Sequence, residues 1–342
     1  MNYHTGCDAH SKYCKFQHMA EDGSLGLHMT VKTTKEDIHK FLDHLDAPTT
    51  MTLEAGRNYW WLSQLFMQHP IVSKVNVVDP RRSRQLAEEL SVISGYGRAK
   101  NDRIDAEMLA DQERRGLAPA IHVPTEEQLE KRTLTRYRSV MVVNRTRAKN
   151  FIHSLMAMHG FKAAIKTLLV DQAEKQEMMN LLPAYLQFMV EQLLDQIRFL
   201  DNHIPNCENK LNELLPPTHP QMKILMSAPG IAIVLARIIS SEILDIHYFK
   251  EPKYLISYSG LAPIDKDSAG RKGPIKLNRH CNYWLKYAFV EAAHNASDYP
   301  KYRRKYELDV KKHGKTIAKL NLARKLAKAV YWMLSRQQLY KS

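Results

Sequence analysis

Apolar residues alternate with polar ones along the first third of the chain, then recur at a helical period through the rest. Alternating runs at Tyr3–Asp8, Tyr13–Met19 and Leu27–Lys32 predict three strands. Thr33-Thr34-Lys35-Glu36 is a helix start, and Ile38, Phe41, Leu42 and Leu45 repeat on one helical face behind it. A strand at Thr50–Glu54, a helix from Asn58 to Met67, a strand at Lys74–Val78, a helix after Pro80 and a short helix from about Asn101 complete the segment. Three strands before the first helix, then alternation, predict an α/β domain with a mixed sheet covered by helices.

Pro119 and Pro124 interrupt this pattern. Beyond them Leu134, Tyr137, Met141, Ala148, Phe151 and Leu155 form a near-heptad stripe with Asn144 at one inner position. A second stripe runs Leu182, Leu186, Met189, Leu193, Ile197, Leu200, Ile204, Cys207, Leu211, Leu214. Pro183 falls in its first turn, and Pro205 is expected to kink or break it. Two readings fit equally: core helices of one bundle, or an antiparallel coiled-coil arm with oligomer contacts. Pro216-Pro217 marks a second break, and the remainder reads as helical with one irregular loop near residues 262–276. The expected division is residues 1–118, 119–216 and 217–342.

Charge adds a partner to this picture. The 342 residues carry 50 Lys+Arg against 36 Asp+Glu, a net +14. Thirteen of the basic residues and only two acids, Glu307 and Asp309, fall in the last 42 positions. There Ile317, Leu320, Ala323, Leu326, Val330 and Leu334 make an apolar helical face, with Lys319, Lys325 and Lys328 elsewhere on the surface. Such a run is either a solvated helix face or a phosphate-binding one. With 44% hydrophobic residues the chain can build real cores, which excludes a disordered polyelectrolyte. No apolar stretch is long enough for a membrane span, and Met1–Lys12 lacks the apolar segment of a leader. Cys7, Cys14, Cys207 and Cys281 form no C-x-x-C pair, so a reducing cytosol is expected.

Four acids stand where phosphoryl chemistry could use them. Asp8 and Glu54 end strands, and Asp102 and Asp105 lie three apart, on one helical face. Each alone reads as a turn or cap residue. Together they could surround one or two hard divalent cations, which clamp attacking and leaving oxygens in an in-line displacement.

The motifs Gly6-Cys7-Asp8, Glu54-Ala55-Gly56 followed by Tyr59-Trp60-Trp61-Leu62, Val77-Val78-Asp79-Pro80 and Lys100-Asn101-Asp102-Arg103-Ile104-Asp105-Ala106 resemble the DEDD transposases of the insertion sequence 110 family. Cys7 and Asn101 replace an aliphatic residue and a Thr, and neither change removes a carboxylate. The resemblance implies an N-terminal RuvC-like domain of the ribonuclease H fold, with Mg²⁺ or Mn²⁺ at Asp8, Glu54, Asp102 and Asp105. Further on, Gly260-Leu261-Ala262-Pro263, the loop Ser268-Ala269-Gly270 and Arg279-His280-Cys281-Asn282 resemble the family's second block, with Ala269 where Gly is common. That implies a nucleophilic role for Ser268 on DNA through a phosphoserine intermediate, in a mainly helical transposase domain. It also implies donor and target DNA, a non-coding bridge RNA that chooses sequence by base pairing, a homo-oligomer (dimer, assembling to a tetramer) and residence in the cytoplasm at the nucleoid.

Before that helical region, Pro229-Gly230-Ile231 resembles a helix-hairpin-helix turn; it could offer backbone N–H groups to a phosphate or simply join two core helices. Arg271, Lys272, Lys276 and Arg279 are the candidate holders of the phosphodiester, with Lys319, Lys325 and Lys328 as backbone contacts. A junction nuclease using water, or a non-catalytic nucleic-acid-binding relative, are the alternative functions. On the electrostatic reading, log affinity for duplex DNA falls against log salt with a slope of about −0.9 per neutralised phosphate, and about −0.7 for single strands. A flat titration would contradict it.

Overall fold

The computed structural model describes residues 3–94, 102–161, 172–264, 267–268, 271–272, 276–277 and 280–341, with backbone alone for 91–94, 102–103, 172–174 and the strand residues from 264 to 277. It divides into two compact units at Pro124/Thr125.

The N-terminal unit is a six-stranded sheet. β1 (Tyr3–Ala9), β2 (Tyr13–Ala20) and β3 (Leu25–Lys32) form an antiparallel meander, and β4 (Thr49–Glu54) and β5 (Val72–Val78) add in parallel on the other side of β1. The order is β3-β2-β1-β4-β5-β6, with antiparallel β6 (Ala120–Ile121) on the edge. This mixed sheet fits the expected RuvC-like α/β domain. β6 has only two residues beside Pro119, too short to leave an alternation pattern.

One sheet face packs on α1 (Lys35–Asp43), capped by Thr34, and α2 (Tyr59–Gln68). Phe16, Phe41 and Phe66 centre that core, with the Phe16 and Phe41 rings stacked at 3.9 Å. The opposite face carries α4 (Asp102–Arg114), which packs against β1, β2 and β4. Its approach is unusually close: a Cβ built on Gly6 would stand 1.9 Å from the Ala106 carbonyl oxygen and 2.8 Å from the Ala110 nitrogen. Only a glycine on the strand, faced by alanines on the helix, permits this distance. Gln112 on α4 and Ser83 on α3 (Pro80–Ser94) then lock the two helices. Ser83 Oγ donates to Gln112 Oε1 at 3.0 Å, and Gln112 Nε2 donates to the Ser83 carbonyl at 2.8 Å.

In the C-terminal unit α5 (Glu126–Met158) starts at a capping box of Thr125 and Gln128. It runs antiparallel to α7 (Ala184–Leu214), as the Arg138–Glu208 and Arg145–Asp201 ion pairs show. Between them lie residues 162–171, outside the described residues, and α6 (Gln172–Asn180), which left no readable sequence signal. The expected stripes slipped. On α5 the inward row is Thr135, Ser139, Met141, Ala148, Ile152 and Met156, whereas Tyr137 and Phe151 are exposed and Asn144 is half-buried. Thr135 and Ser139 fit inside because their hydroxyls donate back to the carbonyls of Lys131 and Thr135. On α7 Val190 and Leu194 are buried in place of Met189 and Leu193, which are half-buried. Pro205 does not end α7, which continues to Leu214.

The rest is a helical cluster: α8 (Pro220–Met226), α9 (Ile233–Ile243), α10 (Pro252–Tyr258), α11 (Tyr283–Ala296), α12 (Pro300–His313) and α13 (Lys315–Arg336). Its core draws on Leu225, Ile239, Phe289, Leu326 and Val330. Ile317, expected on the apolar face of α13, is exposed, and Leu320 is half-buried; Ala318 and Leu322 take the inner row. Gly230, at φ +78°, lets α11 sit on the turn between α8 and α9, since a Cβ there would lie 2.2 Å from the Ala292 carbonyl oxygen. Among the described residues no helix is long and apolar enough to cross a membrane.

The Gly6 contact makes a prediction. Gly6→Ala forces α4 away from the sheet, and thermal unfolding should show a loss of about 3 kcal/mol or more, at the upper end of overpacking costs. Gly56→Ala, where the nearest atom is 3.9 Å away, should cost far less.

Candidate active site

Parallel pairing brings two of the four acids side by side. Cys7 stands opposite Leu53 in the β1–β4 register, so the next residues along, Asp8 and Glu54, are neighbours at the carboxyl ends of central strands. That end of a parallel pair is where open α/β sheets place their chemistry. β5 ends in line with them, and Asp79 follows it. The Gly6–Ala106 contact carries Asp105, one residue before Ala106, to the same end of the sheet.

The electrostatics confirm the crowding. Burial raises the Glu54 carboxyl, and the charges of Asp8 and Asp105 raise it further, to about 7; Asp79 adds to this and Arg84 opposes it. Asp79 is already employed, because its Oδ1 accepts from the backbone of Arg81 and Arg82 at the start of α3. Asp8 is oriented by His10, whose Nε2 lies 2.9 Å from Asp8 Oδ2. The His10 carbonyl is itself held by the Asn58 amide and the Thr33 hydroxyl. Sequence reasoning missed both His10 and Arg84. An alternation pattern marks strands but assigns no role to the turn beyond one. Among the described residues no three His, Cys, Asp or Glu side chains form a ready-made metal site. The side chain of Asp102 lies outside the described residues, although its backbone begins α4.

In the C-terminal unit the expected irregular loop contains paired backbone. β7 (Pro263–Ile264) pairs with β10 (Lys276–Leu277), and within that frame β8 (Asp267–Ser268) pairs with β9 (Arg271–Lys272). Ser268 is directly opposite Arg271 in that pair. The side chains of Ser268, Arg271, Lys272 and Lys276, and the whole of Arg279, lie outside the described residues.

The base of this loop is anchored strongly. The Asn282 backbone N–H donates to the Tyr258 carbonyl at 2.8 Å, closing the segment between α10 and α11. Asn282 Oδ1 caps α11 by accepting from the Leu285 backbone, and its Nδ2 donates to Glu242 Oε2 at 2.8 Å. Glu242 is buried and held bidentately by Arg136 of α5, at 2.6 and 2.8 Å. Arg324 of α13 fixes the loop's entry through the Leu261 carbonyl. Sequence reading gave Asn282 a place in a motif but no partner, because Glu242 and Arg136 are distant in sequence. Of the tail lysines, Lys328 is exposed, while Lys319 and Lys325 are half-buried. Burial first, then neighbouring Lys305, lowers the Lys325 ammonium.

The Glu54 shift fixes a pH dependence. A carboxyl raised to about 7 holds a proton in the folded state that the unfolded chain releases from about pH 4.5 upward, so its contribution is present at low pH and lost as pH rises through 7. Between about pH 5 and pH 8, metal-free wild type should lose thermal stability relative to Glu54→Gln. Parallel melting curves for the two proteins would contradict this.

Comparison with known proteins supplies the context. The DEDD transposase family model of insertion sequence IS110 matches residues 5–160. The family model Transposase IS116/IS110/IS902 matches residues 222–307. The transposase for insertion sequence element IS1111A of Coxiella burnetii is 22% identical over 298 residues, which is 84% of this chain and 77% of that protein. The transposase for insertion sequence element IS1328 of Yersinia enterocolitica is 24% identical, over 57% of this chain and 58% of its own length. The 44.8 kDa protein of insertion element IS116 from Streptomyces clavuligerus is 30% identical, over 44% of this chain and 38% of its own. With one family's models matching the carboxylate-bearing sheet and the serine-bearing helical region in turn, the chain belongs to the IS110 family of transposases.

Proposed function

We propose that the protein cuts and rejoins DNA with a divalent cation at Asp8, Glu54, Asp102 and Asp105 and a serine nucleophile at Ser268. The observation that carries this reading is Glu54, half-buried beside Asp8 and Asp105 with a carboxyl driven up to about 7. Like charges held this close by strands and a docked helix suit a hard cation, which prefers carboxylate oxygens. Mg²⁺ or Mn²⁺ bound there would stabilise charge developing on a transferring phosphate.

Ser268 then supplies the covalent step. Its Oγ bonds to phosphorus, a sugar oxygen departs from it, and the hydroxyl proton is lost to a base. Attack on the phosphoserine by the hydroxyl of another strand end reverses these changes and frees the serine. Paired backbone is a suitable mount for this residue, because the β8–β9 pairing fixes Ser268 opposite Arg271. Arg271, Lys272, Lys276 and Arg279 hold the phosphodiester, and Lys319, Lys325 and Lys328 contact backbone elsewhere.

The N-terminal unit, which runs on through β6 to Pro124 rather than stopping at 118, carries the carboxylates; the helices up to residue 216 form a coiled-coil arm, and 217–342 carry Ser268, with a helix-hairpin-helix turn at Pro229-Gly230-Ile231. The exposed apolar side chains of the arm, Tyr137, Val140, Phe151, Tyr185 and Phe188 among them, suit contacts that assemble a dimer and then a tetramer. An element-encoded bridge RNA would choose donor and target sites by base pairing, with the basic surface holding RNA and DNA backbones alike.

Two substitutions test the chemistry. Ser268→Ala should abolish the denaturation-resistant protein–DNA adduct and lower strand cleavage by 10³-fold or more, on the order of the loss of a nucleophile. Asp8→Asn or Asp105→Asn should remove both. Undiminished cleavage by Ser268→Ala, with no adduct in wild type, would assign the protein instead to metal-dependent hydrolysis by water.

A further inference from the structure

A positive charge taken out of water is ordinarily paired with a negative one. Arg324, in the middle of α13, breaks that rule. It is half-buried, and burial lowers its guanidinium. Its Nε donates to the Leu261 carbonyl, just before β7, and its Nη1 donates to Asn321 Oδ1 at 2.7 Å. Both acceptors are neutral. Among the described residues Arg324 pairs with no carboxylate, and its Nη2 has no partner. A neutral amide side chain would serve the Leu261 carbonyl as well, so the charge exceeds what that contact needs.

The surroundings add to this charge instead of balancing it. Asn321, Arg324, Lys325 and Lys328 fall within about a 100° arc of α13, at 3.6 residues per turn. Leu322, Ala323 and Leu326 lie outside that arc, in the core. Lys305 of α12 stands against Lys325 and lowers its ammonium beyond what burial does, with Asp309 opposing. The other acid of α12, Glu307, is paired with Arg303. Among the described residues no carboxylate forms an ion pair with Lys305, Lys325 or Lys328. Cations pressed together and partly out of water suit a ligand that brings its own negative charge. A guanidinium with donors left over suits the oxygens of a phosphate, which it can take two at a time.

We propose that Arg324 grips a DNA backbone phosphate beside the one that Ser268 attacks, with Lys305, Lys325 and Lys328 contacting neighbouring phosphates along the strand. This rests on the cutting of DNA at Ser268. DNA is the polyanion of choice because the side chain that holds the phosphate also holds Leu261, at the entry to the segment that carries the serine. One guanidinium thereby sets the backbone in register with the nucleophile.

The test is anisotropy binding of the full-length protein to a fluorescein-labelled DNA duplex across a series of KCl concentrations. Arg324→Gln should weaken binding by about 10- to 150-fold, the worth of one charged hydrogen bond. It should also flatten the log–log salt slope by about 0.9, one phosphate fewer. Arg324→Lys keeps the charge, so it should keep the slope while losing affinity with the fork. An arginine that only braces Leu261 predicts the wild-type slope in Arg324→Gln, and that result would overturn the proposal. In wild type, bound duplex should shield Arg324 from phenylglyoxal, read by mass spectrometry of tryptic peptides. Labelling undiminished by DNA would refute the contact even if Arg324→Gln fails to fold. Loss of slope on a double-stranded RNA probe alone would overturn the assignment to DNA. Ser268→Ala should bind the duplex with wild-type affinity and slope, so a failure of the serine chemistry is read separately from a failure of this contact.

Discussion

The approach of α4 to the sheet at Gly6 is the contact on which the rest of the N-terminal unit depends. A strand and a helix ordinarily keep their backbones apart by the thickness of their side chains. Here the strand has no Cβ and the helix offers only alanines, so Ala106 and Ala110 come down onto β1. The register of α4 is thereby fixed, and Asp105 is delivered to the end of the sheet where pairing has already set Asp8 beside Glu54. Strand pairing brings two carboxylates together, and the absent methyl group at Gly6 lets the third join them. The cost of gathering them appears in Glu54, whose proton is held near neutral pH.

The C-terminal unit solves a different problem with a different interaction. Its paired strands β7 to β10 interrupt the helical cluster between α10 and α11, so the ends of that segment need a fixed frame. Glu242 provides one from inside the fold. A buried carboxylate is stable only when paired, and Arg136 satisfies it bidentately while Asn282 takes the remaining contact. Loss of Arg136 would leave that buried charge only Arg132, 3.6 Å away, as its cation, at a cost of about 3–5 kcal/mol at most. The start of α11 is therefore tied to α5 across a long stretch of sequence.

Much of this was legible in the sequence where local physics decides. The alternation of β1 to β5, the Thr34 cap and the strand-end positions of Asp8 and Glu54 all follow from period and punctuation. The errors arose where contacts over distance decide. Tyr137 and Phe151 are more hydrophobic than Thr135 and Ser139, yet the smaller pair faces inward because their hydroxyls are satisfied by their own helix. Of the kink or break expected at Pro205, the break does not occur, since α7 continues to Leu214. His10, Arg84 and Glu242 carry no pattern of their own, and each acquires meaning only from the group it faces. Ser268 is the reverse case: its role came from resemblance, and its side chain lies outside the described residues.

Manganese binding to the full chain, followed by electron paramagnetic resonance, tests the central claim most directly. Wild type should bind Mn²⁺ at neutral pH. Gly6→Ala should lose that binding while retaining its far-UV circular dichroism, although every carboxylate is still present. Binding of Mn²⁺ by Gly6→Ala with wild-type affinity would show that the docking of α4 does not build the site.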